Sequence, residues 1–215
     1  MKKLTLILLF SSIIGIANAQ KSSFRFGLKA TPTLARLKPD ANGLAADGSK
    51  LTFSWGFLAE YYFADNYAFA TGVDIVGRGG KFTENDTAHL TYNVKYLEIP
   101  LTIKMRTNEI GYMRYFGQFG FTPGINIRAK GDYESVGYNQ DDIDIKSTIN
   151  DFNIGLVIGL GFEYSFGGNT ALVVSAVFNN GFTDIDKSSH TDAAGSVISN
   201  KVNSNFVGLN VGVLF

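Results

Sequence analysis

The chain of 215 residues has no cysteine. That removes a disulfide framework, a thiolate metal site and a lipidated N-terminal Cys from consideration. Proline is scarce, at 4 residues, and there are only 2 histidines. Both histidines, His89 and His190, fall in stretches that read as loops. Ser188, Ser189, His190 and Asp192 include the residue types of a hydrolytic triad, but neighbours in sequence seldom face one another productively. No catalytic residue, no metal site and no cofactor is therefore expected. Charge of one sign is also lacking: 19 acids balance 19 bases, and no basic stripe marks a nucleic-acid partner. After the first twenty residues no apolar run approaches the 18 or so positions of a membrane helix.

What is present is glycine and aromatic side chains, with 24 Gly, 18 Phe and 10 Tyr. At 45% hydrophobic and 18% charged, the chain is too apolar for disorder and leans towards strands and turns. The N-terminus reads as a secretory leader: Lys2-Lys3, an apolar run from Leu4 to about Ile16, then Ala17-Asn18-Ala19 before Gln20. Cleavage is expected between Ala19 and Gln20, making residues 1–19 a signal peptide and 20–215 the mature domain. Removing Lys2 and Lys3 leaves 19 acids against 17 bases, a net charge of about −2.

Tyr96-Leu97-Glu98-Ile99-Pro100-Leu101-Thr102-Ile103-Lys104-Met105 alternates apolar and polar residues without a miss. That is the period of a strand. Leu97, Ile99, Leu101, Ile103 and Met105 share one face and Glu98, Pro100, Thr102 and Lys104 the other. Seven further stretches alternate in the same way: Phe24–Leu34, Thr52–Tyr62, Tyr67 to about Arg78, Tyr112 to about Ile127, Asp151–Phe166, Leu172–Phe182 and Asn205–Phe215. Leu172–Phe182 is apolar on both faces, which leaves its phase open.

The connections alternate too. Short turns of Asn, Asp and Gly lie at Ala64-Asp65-Asn66, Thr107-Asn108-Glu109 and Gly167-Gly168-Asn169. Long polar connections run from about 35 to 51, 79 to 95, 128 to 150 and 183 to 204. This is the layout of an all-β protein, an eight-stranded antiparallel up-and-down transmembrane barrel with short periplasmic turns and four long surface loops. Lipid meets its apolar face, and an outer-membrane location in a Gram-negative-type bacterium follows. Phe24, Tyr61, Phe63, Tyr67, Phe69, Tyr115, Tyr164, Phe166 and Phe215 are assigned to one interfacial girdle. Phe53, Trp55, Tyr96, Phe121, Phe152, Phe178 and Phe182 are assigned to the other.

The polar face carries Arg25, Lys29, Glu60, Asp74, Glu98, Lys104, Arg114 and Glu163, four of each sign. An eight-stranded interior is just wide enough for side chains to fill, and buried charges must be paired. The set reads as a salt-bridged plug, with Arg114 or Lys104 expected to pair with Glu98. A narrow conducting path or a small polar-ligand site is the alternative. Pro100, lacking an N–H, is expected at a bulge or local irregularity.

The strand Tyr96-Leu97-Glu98-Ile99-Pro100-Leu101, in a Gly- and aromatic-rich chain behind a leader, resembles the PorT-like family of small outer-membrane β-barrel proteins. The resemblance implies fold and location, and by analogy an accessory role in secretion across the outer membrane. Asp86-Thr87-Ala88 is similar to the O-glycosylation acceptor of bacteria carrying such proteins. A C-terminal strand ending in Phe215 resembles the signal read by the barrel-insertion machinery. Three functional readings follow: a sealed barrel presenting loops to a surface protein or glycan, a secretion accessory, and a small-solute channel. Asp141, Asp142, Asp144, Asp184 and Asp186 offer carboxylates to a hard cation, against the plainer reading of a solvated acidic face.

Overall fold

The computed structural model describes residues 23–39, 44–46, 48–84, 88–135, 138–187, 189–191, 197–199 and 202–215. The Ala19–Gln20 junction and Thr87 lie outside them, as do Ser188, Asp192 and the side chain of His190.

The alternating stretches become strands β1 (Phe24–Pro39), β3 (Lys50–Ala64), β4 (Tyr67–Glu84), β5 (Ala88–Glu98), β6 (Leu101–Arg106), β7 (Met113–Ser135), β9 (Phe152–Gly167), β10 (Thr170–Gly181) and β13 (Val202–Leu214). Shorter pieces join them: β2 (Leu44–Ala46), β8 (Tyr138–Asp144), β11 (Ser189–Thr191), β12 (Val197–Ser199) and the 3₁₀ turn η1 (Lys146–Thr148).

Each long strand pairs antiparallel with its sequence neighbour, β5 and β6 together forming one wall position. β13 returns to β1, from Gly27↔Leu214 to Pro39↔Val202, and closes the ring at eight. Phe26 and Phe215 exchange backbone hydrogen bonds of 2.7 and 3.3 Å at the last residue of the chain. Closure matters because an open edge in hydrocarbon would leave N–H and C=O groups unmet.

Burial follows the period of two. Phe26, Leu28, Phe53, Phe57, Phe119, Phe121, Leu160, Val207 and Leu209 are exposed large apolar residues on the outer wall. Arg25, Glu60, Asp74, Glu98, Lys104 and Glu163 on the alternate positions are buried. β10 resolves its ambiguity with Ala171, Val173, Ser175, Val177 and Asn179 inward. Tyr96, expected in a girdle, is fully buried, because it shares the inward phase of Glu98.

The ladder breaks at Ile99-Pro100, between β5 and β6. The number of residues opposite is the same on both neighbours, so Pro100 removes a ladder bond without inserting a residue. A true irregularity lies higher, where β7 pairs Asn126 with Tyr96 but Arg128 with Lys95. The additional residue, Ile127, reverses the phase, so that Ala129 rather than Arg128 faces inward.

The expected long loops are largely strand. β4 and β5 stay paired as far as Glu84↔Ala88, and β7 continues to Ser135 and folds back as β8. Beyond the apolar wall these strands turn polar side chains such as Lys81, Lys95 and Arg128 outward and keep apolar ones such as Phe82, Val94 and Ala129 inward, so the alternation continues with a polar outer face.

Candidate functional site

Charged and polar side chains project into the lumen in layers. Nearest the short-turn end, the Lys104 ammonium on β6 lies 2.6 Å from Glu60 Oε1 on β3 and also contacts Glu163 Oε1 on β9. The same ammonium sits 4.1 Å from the centre of the Phe116 ring, a cation–π contact. Arg25 on β1 donates to Glu163 Oε2 at 2.7 Å and stands 3.9 Å from Glu60. Tyr62 donates to Glu60 Oε2 at 2.7 Å, and the Arg106 guanidinium stacks 3.9 Å over the Tyr62 ring. Two carboxylates thus hold three cations in a cross-lumen net anchored on β1, β3, β6 and β9.

Above it Lys29 meets Asp74 Oδ2 at 2.6 Å. Their strands are not adjacent. Both pair with Gly56 on the intervening β3, and a Cβ there would lie 2.1 Å from Asp74 Oδ1. Only glycine lets this ion pair form across a strand.

The next layer contains the acid of the alternating motif. Glu98 Oε1 accepts from Arg78 Nε at 2.8 Å and lies 2.7 Å from Nη2 in an ion pair. Arg78 is 1% exposed, with Phe206 and Tyr96 ring centres at 5.1 and 5.9 Å. Its remaining donors reach Asn179 Oδ1 at 3.0 Å and the Ser204 carbonyl at 3.2 Å, and Asn179 donates to Thr122 at 2.8 Å. Each nitrogen of the guanidinium thus donates to a partner, as burial of a charge requires.

The far mouth is closed by apolar side chains. Ile185 packs with Leu37, Phe82 and Val202, and Ile149 with Val94, Tyr96 and Ala129. Both isoleucines come from connecting segments and are 1% exposed. A clasp ties those segments together: Asn150 N–H donates to the Ile185 carbonyl at 2.8 Å, Lys187 N–H to the Thr148 carbonyl at 2.7 Å, and Asn150 Nδ2 to the Asp184 carbonyl at 2.8 Å. At its surface Lys187 Nζ bonds Asp151 at 2.9 Å. That hydrogen bond, with the ammonium charge, holds the Asp151 carboxyl below its ordinary range.

Against the expected residues, Arg25, Lys29, Glu60, Asp74, Glu98, Lys104 and Glu163 are brought into the lumen. Arg114 is not part of this net. It pairs directly across from Glu163 in register, yet Glu163 is already taken by Lys104 and Arg25, and Arg114 turns to Glu109 at the rim. The expected Glu98 partners are corrected likewise: Lys104 is committed to the lower layer, and the partner is Arg78. Arg78 was missed because the third strand seemed to end there; its place two residues beyond Val76, four beyond Asp74, marks the inward phase.

Elsewhere, His89 is exposed and shares a 3.2 Å hydrogen bond with the Thr83 hydroxyl. The Asp184 carboxylate accepts from the Asp186 and Val202 N–H groups, shaping the clasp. Among the described residues no group of three or more His, Asp or Glu is placed to hold a metal ion.

A family model described as "Outer membrane protein beta-barrel domain" matches residues 18–187. Among solved structures, OprG from Pseudomonas aeruginosa is 18% identical with a TM-score of 0.51, covering 89% of this chain and 95% of that one. Ail, the attachment invasion locus protein of Yersinia pestis, is 16% identical with a TM-score of 0.47, covering 90% and 100%. Neisserial surface protein A is 16% identical with a TM-score of 0.47, covering 89% and 97%. No curated protein matches. At 18% identity OprG speaks for the fold alone, while the family model spans most of the sequence: the chain belongs to the outer membrane protein beta-barrel domain family, and its place is the outer membrane of a Gram-negative-type bacterium.

Proposed function

We propose that the protein is a sealed, non-catalytic and non-conducting barrel that anchors an extracellular β-extension for structural or interaction roles. Within its family it is PorT-like, by the strand Tyr96–Leu101. The leader is removed after Ala19, both mature termini face the periplasm, and the insertion machinery reads the last strand through Phe215.

The observation that carries this reading is the net in which Lys104 contacts Glu60 and Glu163 across the lumen. Below it is a vestibule of about 340 Å³ bordered by Arg25, Arg106 and Tyr62. Beside and above it lie spaces of about 70 and 30 Å³, room for a few waters at about 30 Å³ each and far below the roughly 300 Å³ of a small-molecule site. Fixed charges of both signs also disfavour an ion path, which would be ringed by one sign.

Planar-bilayer recording on the refolded mature chain tests it. No resolvable single-channel current is expected in molar potassium chloride. A steady conductance, or swelling of proteoliposomes in a small sugar, would make the protein a solute channel instead.

A further inference from the structure

A crevice of about 340 Å³ opens on the outside of the wall, just above the apolar band. It exists because the sheet splits. β3 pairs with β4 only from Trp55↔Ile75 down to the turn, so residues 50–54 continue beside β1 while 76–84 continue beside β5. Side chains bridge the split where ladder bonds stop: Thr52 Oγ1 donates to the Gly77 carbonyl at 2.8 Å, and the Gly77 N–H donates to Ser54 Oγ at 3.1 Å. The outward positions of β4 at this height are glycines. A Cβ on Gly77 would come within 3.0 Å of Thr52 Cβ, and one on Gly79 within 3.3 Å of Lys50 Cδ. Any side chain there would fill the crevice floor.

Lys50, Lys95, Arg128 and Lys130 line this space. Lys95 and Arg128 stand directly opposite one another on β5 and β7, an arrangement of like charges that weakens a sheet. It arises from the extra Ile127, which turns Arg128 outward beside Lys95. The acid in the lining, Asp142, already serves Arg128 at 3.4 Å and Lys130 at 3.5 Å. These four cations share one carboxylate in the lining, and the excess is positive. The lower lip is apolar, with Leu51 72% and Phe53 59% exposed.

We propose that this crevice binds the phosphate groups of a glycolipid in the outer leaflet, with the acyl chains lying against Leu51 and Phe53. The guanidinium of Arg128 suits a phosphate bidentately, and the lysines supply point charges. Dissolved phosphate shares the anion chemistry but has no use for the apolar lip, which is why the lipid is chosen. The inference rests on the orientation proposed above, and its readout is independent of conductance.

Native mass spectrometry of the refolded mature chain in neutral micelles, with diphosphoryl lipid A as probe, tests it. Loss of two charge-assisted contacts corresponds to about tenfold or more in affinity; that is the drop expected for Lys95→Gln/Arg128→Gln. Lys146→Gln, on the exposed 3₁₀ turn, should retain the lipid as the unmodified chain does. Fully dephosphorylated lipid A should be retained weakly, and millimolar inorganic phosphate should not displace the phosphorylated form. Heat-modifiable migration on gels checks that each variant has folded. Equal retention of the two lipids, or unchanged retention by the folded double variant, overturns the proposal. Displacement by millimolar phosphate overturns the lipid assignment and makes the crevice a free-anion site.

Discussion

At the scale of single residues, the pairing of Glu98 with Arg78 carries a measurable consequence. Removing one partner of a buried ion pair leaves the other charge unmet, at about 3–5 kcal/mol, whereas removing both together costs much less. Arg78→Met alone should therefore lower the unfolding midpoint in phospholipid vesicles more than Arg78→Met/Glu98→Gln does. Glu98→Gln and Arg114→Leu should combine additively, since Arg114 bonds Glu109 at the rim. Additive behaviour of Arg78 and Glu98 would contradict the geometry. The inward phase of such residues was legible in the sequence because alternation fixes it. Partner choice was not: Lys29 reaches Asp74 across a whole strand through the gap at Gly56, and Glu163 ignores its register partner Arg114. Those outcomes depend on strand tilt and on which neighbours compete for a carboxylate, neither of which a one-dimensional pattern contains.

At the scale of elements, lipid wrote the pattern that made eight strands and three short turns readable. Where the lipid ends the outer face turns polar, although β4, β5 and β7 go on with Phe82, Val94 and Ala129 still inward. This boundary can be tested with arginine placed on outward positions. Leu160 lies midway along β9 and is 68% exposed, so Leu160→Arg should destabilise the vesicle-embedded barrel by about 2–4 kcal/mol, the cost of a cation near the bilayer midplane. Thr91→Arg, outward on the extension of β5, should change stability by no more than about 0.5 kcal/mol, as for an ordinary surface site. Equal costs in guanidinium titrations would mean that the hydrocarbon reaches farther up the wall. The Ile127 irregularity was invisible for a related reason: one inserted residue alters register without altering composition, and only the pairing of Asn126 with Tyr96 and Arg128 with Lys95 reveals it.

At the scale of the whole molecule, the proposed sealed barrel is closed in series, by a charged net near the turns, the Arg78–Glu98 layer above it and an apolar stopper of Ile149 and Ile185 at the far mouth. They obey different physics. The net is held by ion pairs in a dry interior, while the stopper is held by burial of two isoleucines and a backbone clasp. The clasp includes one exposed pair, Asp151 with Lys187. Because that pair depresses the Asp151 carboxyl, its contribution is complete above the ordinary carboxylate range and fades only as pH falls through the lowered value. Lowering the pH from 7 to 5 should leave the closure intact, and so should Asp151→Asn, an exposed pair contributing little. Series closures also predict non-additive conductance. Lys104→Ala with Glu60→Ala and Arg25→Ala widens the net and leaves Glu163 the Arg106 guanidinium at 3.8 Å. Ile149→Ser with Ile185→Ser loosens the stopper. Neither set alone should give single-channel current, because the other closure and the Arg78–Glu98 layer remain; the five changes together with Arg78→Ala and Glu98→Ala should. Current from the first set alone would show that the isoleucine stopper does not seal, and current from the second alone would show the same of the net.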